Sequence, residues 1–203
     1  MLLMCNRVLA ATAVVCMCFA AVTPRSAAQA AAVVQERSAD VAVSYVAMRS
    51  LKAQSSENFW MQGGSFEVGG PVWRTVDLAA NLTGAHASSI GSSGVPLSLV
   101  TATVGPRFRW DVHQRWSMYG EGLFGIADGF NSVFPGGAES PTSSRATGFA
   151  MQLGGGLDYK VRGRFSLRVL DAAYVRTQLP NGTDDVQNTL RLGAGVVMRF
   201  NTR

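Results

Sequence analysis

The chain has 203 residues, 47% hydrophobic and 15% charged, with 22 glycines and a formal net charge of +5. Charge this sparse excludes a long disordered chain, and glycine this frequent excludes a coiled coil. The length suits one domain, or at most two small ones, and a positive charge without a Lys/Arg run implies no nucleic-acid partner.

Residues 1–30 read as a cleaved signal peptide. Arg7 supplies the positive start, Val8 to Val22 carry no charge, and Ala28-Gln29-Ala30 is a small-residue cleavage site. Pro24 and Arg25 end the apolar stretch short of the roughly 20 residues of a membrane-spanning helix. Cleavage leaves 31–203 as a single β-barrel domain. Cys5, Cys16 and Cys18 depart with the leader, so 31–203 offers no disulfide, thiolate metal site or cysteine nucleophile.

From there the apolar residues recur every second position, the mark of a strand with two unlike faces. Eight segments show it: 40–49, 59–69, 73–84, 97–110, 116–127, 148–161, 165–178 and 187–200. In 73–84, Val76, Leu78, Ala80 and Leu82 oppose Thr75, Asp77, Asn81 and Thr83. In 97–110, Val100, Ala102, Val104, Phe108 and Trp110 oppose Thr101, Thr103, Arg107 and Arg109. In 187–200, Leu190, Leu192, Ala194, Val196, Met198 and Phe200 oppose Thr189, Arg191, Gly193, Gly195, Val197 and Arg199. The first segment has weaker contrast, because Val46 and Met48 share a face with Ser44.

Connections alternate between long (50–58, 85–96, 128–147, 179–186) and short (70–72, 111–115, 162–164). This is an up-and-down meander with all long loops at one end. Strands of about 9–11 residues match a tilted membrane span, and eight is the smallest such barrel. Aromatic residues gather at strand ends, as rings at the two water–lipid interfaces do. Trp73, Trp110, Trp116, Tyr159 and Phe200 lie near the short turns, and Phe59, Trp60, Phe130 and Tyr174 near the long loops. The expected fold is therefore all-β, an eight-stranded antiparallel up-and-down transmembrane β-barrel. A soluble periplasmic barrel is the alternative.

Three stretches carry a family resemblance. They are Tyr119-Gly120-Glu121-Gly122, a glycine-spaced strand around a glutamate; Arg168 to Asp171 followed by Ala173-Tyr174-Val175-Arg176-Thr177; and Leu190 to Phe200, alternating and ending on an aromatic residue. With the strand organisation over 38–200, the chain resembles the small eight-stranded outer-membrane barrels, the OmpA-type transmembrane domain and its OmpX-like relatives. The resemblance implies an outer-membrane location, an interior glutamate at Glu121, and a C-terminal assembly signal at Phe200. The implied partners are outer-membrane lipid, including lipopolysaccharide, and the outer-membrane assembly machinery.

The polar faces collect the acids Glu67, Asp77, Glu121, Asp158 and Asp171 and the bases Arg107, Arg109, Lys160, Arg168, Arg191 and Arg199. Asp171 reaches the interior only if a bulge near Leu170 shifts the alternation. An eight-stranded lumen is only wide enough for side chains to fill, and unpaired charge there is costly. The expectation is a paired network plugging the lumen, with an ion path as the rival reading.

Catalytic signals are few. His86-Ala87-Ser88 resembles the histidine and serine of barrels that hydrolyse lipid A esters, but no nearby acid orients His86, and His113 reads as a turn residue. Asp184-Asp185 is a lone acidic pair. No catalytic, cofactor or metal residue is nominated, and the protein is read as not an enzyme. The expected role is structural or surface interaction, with 128–147 the contact loop; a narrow channel for small solutes and a lipid A-modifying enzyme are the alternatives.

Overall fold

The computed structural model describes residues 38–51, 58–73, 76–91, 93–135, 142–180 and 185–201. The proposed leader, 1–30, lies outside them. Eight strands follow in chain order: β1 Ser38–Leu51, β2 Trp60–Pro71, β3 Val76–Ala87, β4 Leu97–His113, β5 Trp116–Pro135, β6 Thr142–Arg162, β7 Phe165–Thr177 and β8 Gln187–Asn201. Each pairs antiparallel with its neighbours, and β1 pairs with β8 to close the barrel. The closing ladder runs from Ser38↔Asn201 to Leu51↔Asn188, so the first strand is held along its whole length. Closure satisfies the wall's backbone groups without water, which a lipid-embedded sheet requires.

The burial pattern is inverted relative to a water-soluble protein. Val43, Tyr45, Phe66, Leu82, Val104, Phe124, Leu153 and Val196 are exposed on the outer face. Arg107, Arg168, Arg191, Glu67 and Asp40 are among the most buried side chains in the molecule. In β1 the outward set is Val43, Tyr45 and Arg49, with Asp40, Ser44, Val46 and Met48 turned inward. A soluble barrel would hide the first set and wet the second, so the exterior is a lipid-facing surface.

Two turn details set the register. The two-residue connection Gly163-Arg164 joins Arg162 to Phe165, and Gly163 has φ 57°, the left-handed backbone that tight hairpins favour. In β7, Arg168 pairs with Gly195 but Asp171 pairs with Gly193, so one extra residue bulges out of the ladder. Val169 and Leu170 then both face outward, and Arg168 and Asp171, three positions apart, both face inward.

The segment 128–147 is not one long loop. β5 and β6 continue past their neighbours to Pro135 and from Thr142, with a register break between Phe130 and Phe134. The hairpin stands above the rest of the wall as a two-stranded arm. The third strand is corrected in the other direction, for it begins at Val76 and leaves Trp73 in the turn before it.

Candidate functional site: a charged lumen beneath an apolar layer

The lumen holds two layers. On the side of the short turns lies a charged network centred on Arg107. Its guanidinium meets Glu67 at 2.7 Å, Asp40 at 3.5 Å and Glu121 by a short contact, from β2, β1 and β5. Three branches leave this hub. Asp40 continues to Arg109 at 2.9 Å, and Arg109 lies 3.8 Å from Asp77. Glu67 continues to Arg168 at 2.7 Å, then Asp158 at 3.1 Å, then Arg199 at 3.1 Å. Glu121 accepts from Gln152 Nε2 at 2.8 Å, Gln152 Oε1 accepts from Arg191 at 3.1 Å, and Arg191 reaches Asp171 at 2.9 Å. The Tyr119 ring lies between two cations, 4.6 Å from the Arg107 guanidinium and 4.5 Å from that of Arg168, where the negative ring face favours both.

All eight strands contribute. Alternation places the side chains inward; the stagger of the closed barrel brings distant strands to one level. Glu67 and Arg168 are 101 positions apart yet share a hydrogen bond. Asn81 and Thr83 of β3 extend the network, Asn81 donating to Glu67 and both accepting from Arg191. Leaving one partner of such a buried pair uncompensated is strongly destabilising, so the network is a structural commitment.

Among the inward charges expected from sequence, Glu67, Arg107, Glu121, Asp158, Arg168, Asp171 and Arg191 are deeply buried. Asp77 and Arg199 are partly exposed at the ends, with side-chain exposures of 17% and 19%. Lys160 is a correction: inward parity continues to it, but it lies exposed at the turn end of β6, where water solvates it, and it stands outside the network among the described residues. Asp40 was missed. Reading the β1 alternation one step back from Val41 points to it, although it is the first inward residue of a strand with weak contrast. Counting it, six acids face five arginines.

Toward the long loops the lumen becomes apolar. Met48, Met61, Ala85, Leu99, Ala127, Ala150 and Val175 form one buried cluster, closed from above by Phe134 and Leu179. The outer face at this end carries polar groups on adjacent strands: Arg49, Gln62, His86, Ser98, Asp128, Arg145 and Arg176. Arg145 hydrogen-bonds Asp128 and holds its carboxyl below the ordinary value. Arg49 lies over the Trp60 ring at 5.7 Å. Below this belt the outer face is apolar, so the belt marks the height of the lipid headgroups.

His86 sits in the belt, facing out. Its Nδ1 lies 3.0 Å from Ser98 Oγ across the β3–β4 ladder, and Asn131 Nδ2 donates to the same oxygen at 3.3 Å. The hydroxyl beside His86 is therefore that of Ser98, not Ser88, because directly opposed ladder residues stand about 5 Å apart whereas residues two apart along one strand are separated by about 6.5 Å, and Ser88 lies past the end of β3.

No protein-family model matches the sequence, and no curated protein does either. Solved structures do match. Neisserial surface protein A is similar at 18% identity over 80% of this chain and 97% of that one, with a TM-score of 0.59. Ail, the attachment invasion locus protein of Yersinia pestis, is similar at 21% identity over 80% and 99%, with a TM-score of 0.54. The same protein in complex with the heparin analogue sucrose octasulfate gives 19% identity, 80% and 99% coverage and a TM-score of 0.51. The chain has the fold of the small eight-stranded outer-membrane barrels.

Proposed function

We propose that the protein is an outer-membrane barrel with a structural or surface-interaction role, its lumen plugged rather than conducting. One observation carries the location: an exposed apolar outer face on a closed sheet whose buried interior is ionic. The short turns and both ends of the barrel chain lie on the periplasmic side, and the long loops lie outside. Among the described residues, the β5–β6 arm, to Pro135 and from Thr142, continues past the neighbouring strands on that side, which supports 128–147 as the contact surface. Outward-facing Arg49, Arg145 and Arg176 sit where anionic headgroups lie, which supports lipopolysaccharide as a lipid partner.

The plug reading rests on the burial of Arg107, Arg168 and Arg191, each held by several lumen partners. An ion entering would have to separate them, which costs several kcal/mol per buried pair, about 3–5 when one partner is left alone. Carbonate-washed fractionation followed by planar-bilayer recording tests both parts. Recovery in the outer-membrane fraction without discrete conductance steps is expected. Recovery in the soluble periplasm would refute the location, and regular single-channel steps would refute the plug.

A further inference from the structure

The end of the barrel with the short turns carries a run of exposed cations. Arg115 precedes β5, Lys160 and Arg162 end β6, and Arg164 lies in the turn to β7. Backbone bonds set them along neighbouring strands. The Lys160 N–H donates to the Arg115 carbonyl at 2.7 Å, and the Arg199 N–H donates to the Arg164 carbonyl at 2.8 Å. Arg162 stands opposite Phe165 in the hairpin. The four side chains thus form one arc over β5, β6 and β7.

Charge elsewhere in the barrel is matched. Arg107, Arg168, Arg191 and Arg199 each have a lumen carboxylate, and Arg145 has Asp128. Arg115, Lys160, Arg162 and Arg164 form no ion pair among the described residues. At this end of β5–β7 the described acid is Asp158, buried between Arg168 and Arg199. Asp77 and Asp111 stand on β3 and β4.

The same segments carry outer-face rings. Trp116 and Tyr159 pack with centroids 4.8 Å apart, and Phe165 follows Arg164 directly. Arg115 Nη1 donates to the Tyr159 hydroxyl at 3.3 Å, which holds that guanidinium against a belt ring. Such rings settle at the water–lipid interface. Each cation lies one to three residues past a ring, about 3–10 Å further along the strand. That is the level of the lipid phosphates, and the aliphatic stems of Lys and Arg carry the charge to it.

We infer that Arg115, Lys160, Arg162 and Arg164 form a binding arc for anionic phospholipid in the leaflet at the short-turn end. The headgroup it fits is a phosphodiester without a balancing amine, as in phosphatidylglycerol. Guanidinium groups take phosphate oxygens in pairs. A zwitterionic lipid brings an ammonium beside its phosphate, which the arc repels. A soluble polyanion would have no use for the rings, whereas a lipid meets rings with its chains and cations with its phosphate. The inference rests on the membrane location proposed above and is independent of the surface role.

Trp116 is the reporter, since it adjoins Arg115 in sequence and packs on Tyr159. Residues 31–203, with Trp60, Trp73 and Trp110 replaced by Phe, are folded into phosphatidylcholine vesicles. A minor fraction of either phosphatidylglycerol or phosphatidylcholine is brominated on its acyl chains. Brominated phosphatidylglycerol should act at Trp116 as if enriched at least about fivefold over brominated phosphatidylcholine, the factor one cation supplies near anionic lipid. Added sodium chloride should weaken that preference. Replacing all four cations by Gln should abolish it, with folding checked by heat-modifiable gel mobility. Arg162→Gln with Arg164→Gln, confined to an exposed turn, should lower it on its own. Equal quenching by the two lipids before any charge is removed would overturn the arc, as would a full preference in the folded variants. Inorganic phosphate abolishing the preference at an ionic strength where sodium chloride does not would place free phosphate there instead of lipid. Folded protein quenched by neither lipid would overturn the membrane location, and the arc with it.

Discussion

Replacing Arg191 by methionine isolates the energetics of the lumen. Arg191 is fully buried, and its guanidinium is the ion-pair partner that Asp171 has among the described residues. Its loss leaves a carboxylate, itself 1% exposed, inside a narrow lumen with one oxygen already lacking a hydrogen-bond partner. Removing one partner of a buried pair costs about 3–5 kcal/mol. Arg191 also donates to Asn81, Thr83 and Gln152, which places the expected loss toward the upper part of that range. Arg168→Met should cost less, since Glu67 keeps Arg107 and Asp158 keeps Arg199. Arg145→Met should be close to silent, because that side chain is 69% exposed and pairs in water. The double variant Arg191→Met with Asp171→Asn should recover about 2 kcal/mol of the loss by removing the stranded charge. Urea unfolding in phospholipid vesicles reads these values through tryptophan fluorescence, since Trp60, Trp73 and Trp110 all lie on the outer surface. Equal stability of the Arg191 and Arg145 variants would refute a packed ionic lumen. A double variant no better than the single one would show that the charge of Asp171 is not what hurts.

Phe200→Ala should lower the amount of assembled barrel in cells while shifting the unfolding of purified folded protein by well under the roughly 1.5–3 kcal/mol of a fully buried side chain, as Phe200 is 38% exposed. Heat-modifiable gel mobility of membrane fractions checks it, and normal assembly would move the assembly signal elsewhere. N-terminal mass mapping of the exported protein should find Ala31, and an intact Met1 would refute the leader. His86→Ala should leave the lipid A mass profile unchanged, because among the described residues the Ser98–His86 pair has no acid as a hydrogen-bond partner to orient the ring; a lost deacylation product would reverse the non-enzymatic reading. Gly156→Ala should perturb the network, since its Cβ would meet the Tyr119 hydroxyl at 2.7 Å and the Leu170 carbonyl at 2.5 Å, and altered tyrosine fluorescence checks it.

Alternation was legible wherever the two faces met unlike solvents. Across 80–83 of β3, 100–110 of β4 and 189–195 of β8, apolar residues alternate with polar residues or glycine, and the structure turns the apolar set outward. Above the membrane the contrast fades. Gly129, Asn131, Ser132 and Ser143 have no lipid to face, so the continuation of β5 and β6 leaves no period to read. The Asp171 position depended on a bulge, and the odd spacing of three positions between two inward charges, Arg168 and Asp171, was its only trace. Pairing across the lumen was illegible for a different reason. Arg107 choosing Glu67, Glu121 and Asp40 depends on strand stagger, which no local pattern encodes. Nor did composition mark Phe134 as a lumen residue, because it reaches the interior from an arm outside the wall.

The way the network crosses strands bears on how the chain enters a membrane. The β1–β2 hairpin carries Asp40 and Glu67, whose arginines stand on β4 and β7. Inserted alone, that hairpin would bring two carboxylates into hydrocarbon with no counterion, a penalty of several kcal/mol for each. The last strand has the mirror-image difficulty, since Arg199 waits for Asp158 on β6. Crossing the bilayer one hairpin at a time is thus the expensive route. The cheaper one lets the sheet curl and neutralise its inner face before, or while, it meets lipid, so that translocation and cylinder closure become a single concerted event.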